Sequence, residues 1–501
     1  MSEIKGNVRT VFALFFVVFS LIIAANVYGA SVRLPNDGMA VGAPVATTTI
    51  FVAANDSTAE AKATADYVVP DGAQNAQDTI NIAINALPQP QGGKVLLRAG
   101  TYLLNNFIEL NGCINIGGTP NYCPAGPYNN VSFEGEGPST VIRAVAGAAS
   151  PMLRIPNYYT PEAYTIANMT IDGNAVVTST PGNIITGISI SQVKNFLLKN
   201  LVLINAAKLY ISGPVEDVAV QNNVIKDAPM EFTVTRLLVD GNTTEYTGYN
   251  GIVPSIWSGI LYVRGNNVTI TNNFAINSGG LDISAACMNI SFNNYEGRDS
   301  LQIISQIAAL SGGFTVANNI FDKMGVRFNA ADAMINNNTF LLGGTAAISH
   351  SVWITGNTAG PLVFSGNTIT GNNSSISYIG LRAGGYNLTV TGNIVTGAGG
   401  TGIYLLSATA AVVSNNTITG NNQFNSGSFF LDGIWVYSSS GTILQGNTVR
   451  YGSNPNKHRY GLYISNSTNV VVENNDLLTS GITANFMNSG TGTVIGPGNI
   501  F

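Results

Sequence analysis

Three short stretches decide the fold of this chain: VFSGNTI (Val363–Ile369), TVTGNIV (Thr389–Val395) and VVSNNTI (Val412–Ile418). Each alternates apolar and polar residues and then turns at an asparagine. The pattern recurs around Asn223, Asn273, Asn294, Asn319, Asn338, Asn447, Asn475 and Asn499, with weaker copies at Asn168 and Asn200. If the longest gap, Asn223 to Asn273, holds two units, the repeat averages about 25 residues.

Short strands repeated at this period predict an all-β solenoid. Each unit holds two or three strands of three to five residues, separated by Gly, Ser and Asn turns. Such strands cannot bury a face alone, but about 13 stacked coils would form parallel ladders around one interior. The recurring asparagine should form an internal ladder, because its amide donates and accepts hydrogen bonds and it tolerates left-handed turns.

The composition indicates a packed core and excludes one class of binding partner. Of 501 residues, 9% are charged, against roughly 25% in typical soluble domains, while 45% are hydrophobic and 56 are glycine. The net charge of −5 is unlike the basic surface that neutralises phosphates. We therefore expect no nucleic-acid partner.

The first thirty residues resemble an export signal. Lys5 and Arg9 precede the apolar run Val11–Ala25, and the small-residue stretch Val27–Ala30 follows. Cleavage would release a secreted protein, whereas an uncleaved segment would anchor it at the cell surface. We expect contact with a membrane only through this segment.

Cysteines and histidines are too few for a metal centre of the usual type. Cys113 and Cys123 could pair in an oxidising compartment, and Cys287 is interpreted as a small buried hydrophobe. His350 and His458 have no ligand spacing to one another, and His458 is expected on a surface loop. No nucleotide-binding glycine motif occurs, so we expect no Zn²⁺, haem, nucleotide or flavin.

A helix is predicted from Asn75 to Leu87, where it would cover the first coil. Asp78 can cap it, and its apolar face consists of Ile80, Ala83, Ile84 and Leu87. A solenoid end exposes unpaired strand edges, which such a helix can cover.

The run ADYVVPDGAQNAQDTINIAINALPQPQGGKVLLRAGTYLL (Ala65–Leu104) resembles the start of pectate-lyase-superfamily proteins of the microbial secreted or surface type. VSFEGEGPSTVI (Val131–Ile142) and YTIANMTIDGN (Tyr164–Asn174) resemble their early coils. The resemblance implies a right-handed, single-stranded parallel β-helix. It specifies no activity, because the superfamily includes lyases, hydrolases, epimerases, tailspikes and binding proteins.

These features divide the chain into four parts. Residues 1–30 are the signal peptide or anchor, 31–64 an N-terminal extension, 65–160 the cap with the first coils, and 161–501 the repeat domain. An insert at 227–257 is expected to interrupt the repeat. Sequons such as those at Asn267, Asn289 and Asn387 make the chain a candidate glycoprotein, although the repeat itself also produces this pattern.

One lateral row is predicted from the strand after each turn, which reads G-[apolar]-x-[apolar] with x pointing outward. The x residues are Ser189, Leu261, Asp282, Gln302, Arg327, Arg382, Tyr404, Trp435 and Tyr463, with one coil near Ile348 unassigned. Because sugars stack on aromatic faces, the candidate glycan-binding residues are Gln302, Arg382, Tyr404, Trp435 and Tyr463, with Trp435 exposed. Strand propensity alone is the alternative explanation of these rings.

A charged cluster is predicted on three consecutive coils. Asp282, Asp299, Lys323 and Arg327, the candidate catalytic residues, would lie within one or two strand spacings, close enough to tune one another's pKa, and Asp282, Asp299 and Asp322 could hold Ca²⁺. A solvated ion cluster is the alternative. Calcium is the one cofactor that the sequence leaves open.

Successive coils of polygalacturonases carry the motifs NTDGID, GDD and GHG, and this chain resembles them only in part. Here Asn277–Asp282 reads NSGGLD, Gly297–Asp299 reads GRD and Lys323–Gly325 reads KMG. Two of three catalytic carboxylate positions and the histidine are missing, so two-carboxylate hydrolysis is not expected. The enzymatic alternative is lyase- or epimerase-like proton abstraction, with Arg327 or Lys323 as base or charge clamp.

The sequence thus predicts an exported β-helix protein that binds a polysaccharide along one lateral face, at or outside the cell surface. A lyase or epimerase centred on Asp282, Asp299 and Arg327 is one form of this hypothesis. A non-catalytic structural or adhesive surface protein is the other.

Overall fold

The computed structural model describes residues 48–110, 128–155, 160–174, 186–205, 208–245, 261–278, 280–297, 304–309, 313–330, 332–342, 352–356, 360–371, 379–421, 431–452 and 457–501. Within them lie two helices, α1 (Ala59–Ala63) and α2 (Ala76–Asn85), and 42 short or corner-turning strands. Each strand pairs in parallel with strands of the coils before and after it. The chain is the parallel β-solenoid that the repeat predicts.

The strands form three sheets, A, B and C, which each coil visits in that order. Sheet A consists of Ile108–Glu109, Leu153–Ile155, Thr186–Ile190, Lys208–Ser212, Ile304–Ala309, Gly325–Ala330, Val352–Gly356, Leu381–Tyr386, Ile403–Thr409, Ile434–Tyr437, Tyr460–Thr468 and Ala484–Thr491. Three long strands run from sheet A around the corner into sheet B: Met230–Asp240, Leu261–Thr271 and Leu281–Ser291.

Sheet B consists of Thr49–Ala53, Tyr67–Val68, Gly93–Leu97, Val131–Gly135, Val215–Gln221, Phe314–Ala317, Ala333–Asn336, Leu362–Ser365, Leu388–Thr391, Val412–Ser414, Ile443–Gln445, Val471–Glu473 and Val494–Ile495. Glu162–Asp172 and Val193–Ile204 run from sheet B into sheet C. Sheet C consists of Gly100–Leu104, Thr140–Ala144, Val224–Lys226, Thr243–Glu245, Phe274–Ser278, Asn294–Gly297, Ile320–Asp322, Thr339–Leu342, Thr368–Gly371, Ile394–Thr396, Thr417–Thr419 and Thr448–Arg450.

The predicted asparagine ladder lies inside the corner between sheets B and C. Its members are Asn223, Asn242, Asn273, Asn293, Asn319, Asn338, Asn367, Asn393, Asn416, Asn447, Asn475 and Asn499. At a typical step, the backbone N–H and the side-chain amide of Asn393 donate to Oδ1 of Asn416 at 3.0 and 2.9 Å. The amide of Asn393 also donates to the carbonyl of Phe364. Amide hydrogen bonds therefore link successive coils through the interior.

The structure corrects two ladder assignments. Asn242, which the sequence analysis missed, fills the long gap, 19 residues after Asn223 and 31 before Asn273. In SFNNYE the ladder residue is Asn293, whereas Asn294 begins the next strand of sheet C. The average of about 25 residues per coil holds because the gap does contain two units.

Ladder bonding and the left-handed turn belong to two adjacent positions rather than to one. The residue before each ladder asparagine has a positive φ, for example 55° at Asn222 and 57° at Phe292. Asn168 and Asn200 hold this preceding position, at φ 59° and 53°, and bond to each other at 2.9 Å outside the ladder. The two weak copies therefore mark turns and not ladder residues.

Apolar side chains from all three sheets fill the interior. An aromatic stack runs along the interior of sheet C, where Tyr295, Phe321 and Phe340 lie 5.5 and 5.2 Å apart between ring centroids. Phe364 of sheet B continues it at 6.1 Å. These side chains are almost fully buried, so the coils pack tightly in this part of the interior.

Helix α2 covers the first coils, as predicted. Ile80, Ala83 and Ile84 are fully buried, and Asn81 accepts a hydrogen bond from the backbone N–H of Glu109 at 3.0 Å. Asn75, rather than Asp78, is the N-cap residue, and its amide donates to Asp78. The helix thus closes the strand edges at this end.

Two predicted boundaries are wrong. Thr49–Ala53 pairs in parallel with Gly93–Leu97, so this part of the predicted extension 31–64 already belongs to sheet B. The predicted insert 227–257 does not begin at 227, because Met230–Asp240 and Thr243–Glu245 form a regular coil. Residues 246–257 lie outside the described residues.

The remaining predictions concern the N-terminal segment, the cysteines and His350. Residues 1–30, Cys113, Cys123 and His350 lie outside the described residues. Cys287 is a free, exposed thiol instead of a buried hydrophobe, because it lies where its strand turns the corner from sheet A to sheet B. Within the described residues, no helix is long and apolar enough to cross a membrane.

Candidate functional site

The outward row of sheet A is the candidate site, and we call it the sheet A column. Pairing between coils places its members in one register: Glu109, Arg154, Ser189, Tyr210, Glu231, Tyr262, Asp282, Gln306, Arg327, Trp353, Arg382, Tyr404, Trp435, Tyr463 and Met487. Neighbouring members are one strand spacing apart, about 4.8 Å.

Most of the predicted row lies in this column, with three differences. Leu261 is buried, and its neighbour Tyr262 points outward instead. Gln302 lies outside the described residues, and Gln306 holds the position between Asp282 and Arg327. Trp353 fills the coil that the sequence left unassigned.

The C-terminal part of the column is a continuous aromatic surface. The ring of Trp435 lies 4.8 Å from Tyr404, 6.0 Å from Tyr463 and 5.5 Å from Tyr437, between centroids. Its indole N–H donates to the hydroxyl of Ser465 at 2.9 Å. Trp435 is therefore half-buried rather than exposed.

Tyr404 is more enclosed than the sequence predicts. It is only 6% exposed, although it holds an outward register, because Trp435 packs against it. Burial raises the pKa of the Tyr404 phenol, and the positive charge of Arg382 opposes this shift. The phenol thus stays neutral and can donate a hydrogen bond.

Trp353 lies between two arginines in the middle of the column. The guanidinium carbon of Arg382 is 5.1 Å from the Trp353 ring centroid, and that of Arg327 is 5.8 Å away on the neighbouring coil. Both distances are within cation–π range. Arg327 is exposed, while Arg382 and Trp353 are half-buried.

The predicted catalytic cluster is only partly assembled. Asp282 accepts hydrogen bonds from the two terminal guanidinium nitrogens of Arg264, at 3.0 and 3.4 Å, and one coil separates it from Arg327. Lys323 lies at the corner between sheets C and A, and its ammonium bonds to Glu296 at 2.9 Å. Asp299 lies outside the described residues.

The described members of the predicted calcium site do not share a column. Asp282 belongs to sheet A, whereas Asp322 ends a strand of sheet C. Among the described residues, no three acidic, His or Cys side chains group as a metal site would require. With Asp299 undescribed, calcium at Asp282, Asp299 and Asp322 stays a prediction.

An ion pair between a buried carboxylate and a half-buried arginine supports the aromatic surface. Asp432 is fully buried and accepts from Arg459 at 3.1 and 2.8 Å and from the backbone N–H of Tyr460 at 3.2 Å. Burial raises the pKa of the Asp432 carboxyl, and Arg459 opposes the shift. Arg459 also lies 4.7 Å from the Tyr460 ring and 5.1 Å from the Tyr463 ring, so it orients both.

His458 is interior, which corrects the surface-loop expectation. It is fully buried, and its Nδ1 lies 3.0 Å from the carbonyl oxygen of Ser480, so Nδ1 carries the proton and donates. Burial lowers the pKa of His458 to about 4. A neutral, enclosed imidazole behind the column is a packing element and does not contact a ligand on the outer face.

The chain is similar to known β-helix proteins at the level of fold. A family model described as "Right handed beta helix region" matches residues 350–501. A mutant tailspike protein of E. coli bacteriophage HK620, solved in complex with a pentasaccharide, is 13% identical, with 86% of this chain and 78% of that chain covered and a TM-score of 0.50.

Two further solved structures are similar at lower TM-scores. The A-module of a mannuronan C-5 epimerase from Azotobacter vinelandii is 15% identical, with 84% of this chain and 95% of that chain covered and a TM-score of 0.31. A surface adhesin of Streptococcus pneumoniae is 15% identical, with 79% and 88% covered and a TM-score of 0.37. No curated protein sequence matches.

These similarities show a fold. The chain is a right-handed parallel β-helix, as its resemblance to the pectate-lyase superfamily implies. An identity of 13% shows no more than this about activity, because one fold carries many functions.

Proposed function

We propose that this chain is a polysaccharide-binding β-helix protein that works at or outside the cell surface. The observation that carries the proposal is the row Tyr404–Trp435–Tyr463, three aromatic rings in contact along one outward column with centroids 4.8 and 6.0 Å apart. Sugar rings present C–H faces that pack on aromatic rings, and a column repeated at coil spacing suits an extended chain of sugars.

Two other features support this proposal. The tailspike with a TM-score of 0.50 was solved with a bound pentasaccharide, which is compatible with a glycan on this fold. The N-terminal stretch around Lys5, Arg9 and Val11–Ala25 has the pattern of an export signal, which would place the column where polysaccharides occur.

The ion pairs of the described carboxylates favour a protein that binds the polysaccharide without cleaving or modifying it. The three acidic members of the column each face a cation: Glu109 faces Arg154, Glu231 faces Lys208, and Asp282 faces Arg264. The oxygens of these three carboxylates are therefore engaged by cations of the protein itself rather than offered to a substrate. A lyase- or epimerase-like activity at Asp282, Asp299, Lys323 and Arg327 is the second candidate, and it rests on the exposed position of Arg327.

The test is a screen of the purified full chain against uronate and neutral polysaccharides, with and without Ca²⁺. Binding and bond cleavage are measured in the same samples. Binding without new reducing ends, unsaturated sugars or changed sugar composition supports the binding protein. Turnover that Arg327→Ala abolishes would replace it with the enzyme. Failure to bind any polysaccharide would overturn both.

A further inference from the structure

The two arginines beside Trp353 differ from the other arginines of the protein. Of nine arginines in the described residues, seven form ion pairs with a carboxylate, and these are Arg98, Arg143, Arg154, Arg236, Arg264, Arg450 and Arg459. Within the described residues, Arg327 and Arg382 have no carboxylate partner, and both lie within cation–π distance of the Trp353 ring. Both lie in the sheet A column.

The surrounding sheet supplies no negative charge either. The eight sheet A strands from Ile304–Ala309 to Ala484–Thr491 contain no Asp or Glu, and Arg327 and Arg382 are their only cations. The earlier sheet A strands instead carry both signs, as in the pair Arg264 and Asp282. A chain of net charge −5 therefore presents a locally positive surface here. Such a surface attracts anions.

The guanidinium carbons of Arg327 and Arg382 lie 5.8 and 5.1 Å from the Trp353 ring centroid, and no carboxylate of the described residues engages their N–H groups. A guanidinium donates through N–H groups in its own plane, where they fit carboxylate or sulfate oxygens in pairs. The ring also restricts the side chains, so less conformational entropy is lost when an anion binds. Arg327, Trp353 and Arg382 form a cation–aromatic–cation unit prepared for an acidic ligand.

The spacing of this unit selects among acidic ligands. Arg327 and Arg382 occupy alternate column positions, two strand spacings or about 10 Å apart, with an aromatic face between them. A linear glycan along the column would place acidic groups at the arginines and an uncharged sugar on Trp353. An acidic group opposite Trp353 would lose water without gaining a partner.

We propose that Arg327, Trp353 and Arg382 bind a linear acidic glycan whose carboxylate or sulfate groups recur on every second sugar. This inference rests on the proposed function, because it names the class of polysaccharide that the same column takes. The acidic segment of the glycan lies on the arginines, and the chain continues over Tyr404, Trp435 and Tyr463.

The test uses hyaluronan, which alternates a uronate with an uncharged sugar, and the same polymer after reduction of its carboxyl groups. Kappa-carrageenan supplies a sulfate on alternate sugars, and polygalacturonate supplies a carboxylate on every sugar. Affinities are measured for the full chain, for Arg327→Gln and Arg382→Gln, and for the control Lys194→Gln. The Lys194→Gln substitution removes the same charge on sheet B. The ion pair of Lys194 with Glu216 is long, at 3.9 Å, and exposed.

An alternating acidic glycan, hyaluronan or kappa-carrageenan, should bind more tightly than polygalacturonate. Which of the two binds identifies the acid as carboxylate or sulfate. Each arginine variant should weaken that binding by about tenfold, while Lys194→Gln leaves it unchanged. Loss of the acidic groups from the polymer should weaken binding by the full chain and abolish the difference between the full chain and the arginine variants.

Three results would overturn the inference and leave the proposed function standing. These are equal binding of the preferred acidic polymer before and after removal of its acidic groups, equal loss in Lys194→Gln and the arginine variants, or polygalacturonate as the tightest ligand. Absence of binding to all acidic and neutral polymers would overturn the proposed function itself.

Discussion

The side-chain amide of Asn393 donates to Oδ1 of Asn416 at 2.9 Å, and the amide of Asn416 donates in the same way to Asn447 at 2.9 Å. All three side chains are almost completely buried. Each asparagine is a donor to one coil and an acceptor from another, so the ladder transmits a defect at one residue to both neighbours. Aspartate cannot replace it, because a carboxylate lacks the donor.

We expect Asn393→Asp to lower the free energy of unfolding by about 1–3 kcal/mol or more, since it leaves buried acceptors unpaired and introduces a charge. Chemical denaturation measures the loss. Asn289→Asp is the matched control, because Asn289 is half-buried on the outer side of its strand. Equal stability of the Asn393→Asp variant and the native chain would show that the ladder contributes nothing to folding.

Trp435→Ala should weaken glycan binding by about 1–3 kcal/mol through lost stacking area. Because the ring also packs on Tyr404 and bonds to Ser465, the melting temperature should fall too. Affinity is therefore expressed per folded molecule. Tyr386→Ala removes an exposed ring outside the column and should leave affinity unchanged. Unchanged affinity in Trp435→Ala would place the binding surface elsewhere.

His458 should make the fold sensitive to acid. Its pKa is about 4 in the folded chain, against roughly 6.5 when unfolded. The unfolded chain therefore binds the proton more tightly, so stability is complete above about pH 6.5 and falls as pH drops toward 4, by roughly 3 kcal/mol at most.

His458→Gln should flatten this dependence between about pH 6.5 and 4.5, as unfolding curves at each pH would show. Burial raises the pKa of Glu109 and Asp432, which gives a dependence of opposite sign. Both carboxyls are present in the native chain and the variant, so the difference between the two isolates His458. Parallel pH profiles would mean that the imidazole does not titrate on unfolding.

Tyr295→Phe should leave the chain equally stable or more stable, by up to about 1–2 kcal/mol. The Tyr295 hydroxyl is buried without a hydrogen-bond partner among the described residues, while its ring stacks on Phe321 at 5.5 Å. Phenylalanine keeps the stack and removes the unpaired group. A lower melting temperature would instead show that the hydroxyl bonds to water in the small cavity it shares with Thr244.

The fold could be predicted because the same chemistry is repeated in almost every coil. The ladder asparagine and the alternating strand recur whatever the rest of the coil contains, so eleven of the positions recognised in the sequence mark coils of the structure. Asn242 escaped because its coil is short: intervals of 19 and 31 residues hide the average of about 25. The number of residues in the turns between sheets varies from coil to coil, and no local sequence motif marks this variation.

The candidate site was less predictable because it depends on register. A shift of one residue turns a side chain to the other face, and this shift separates the buried Leu261 from the outward Tyr262. Pairs such as Arg264 with Asp282 join residues 18 apart in sequence, so no local motif marks them. Trp353 could have been found by looking for an apolar-x-apolar strand in the unassigned coil between Arg327 and Arg382.

The ladder also gives the protein a unit of growth. Since every coil from Asn223 to Asn499 carries the same ladder amide, a whole coil can be duplicated or deleted between two ladder asparagines, such as Asn393 and Asn416, without breaking the chain of amides. Each such event would lengthen or shorten the outward column by one position and leave the remaining positions in register. The length of this surface could thus be adapted to the length of its ligand during evolution, one coil at a time.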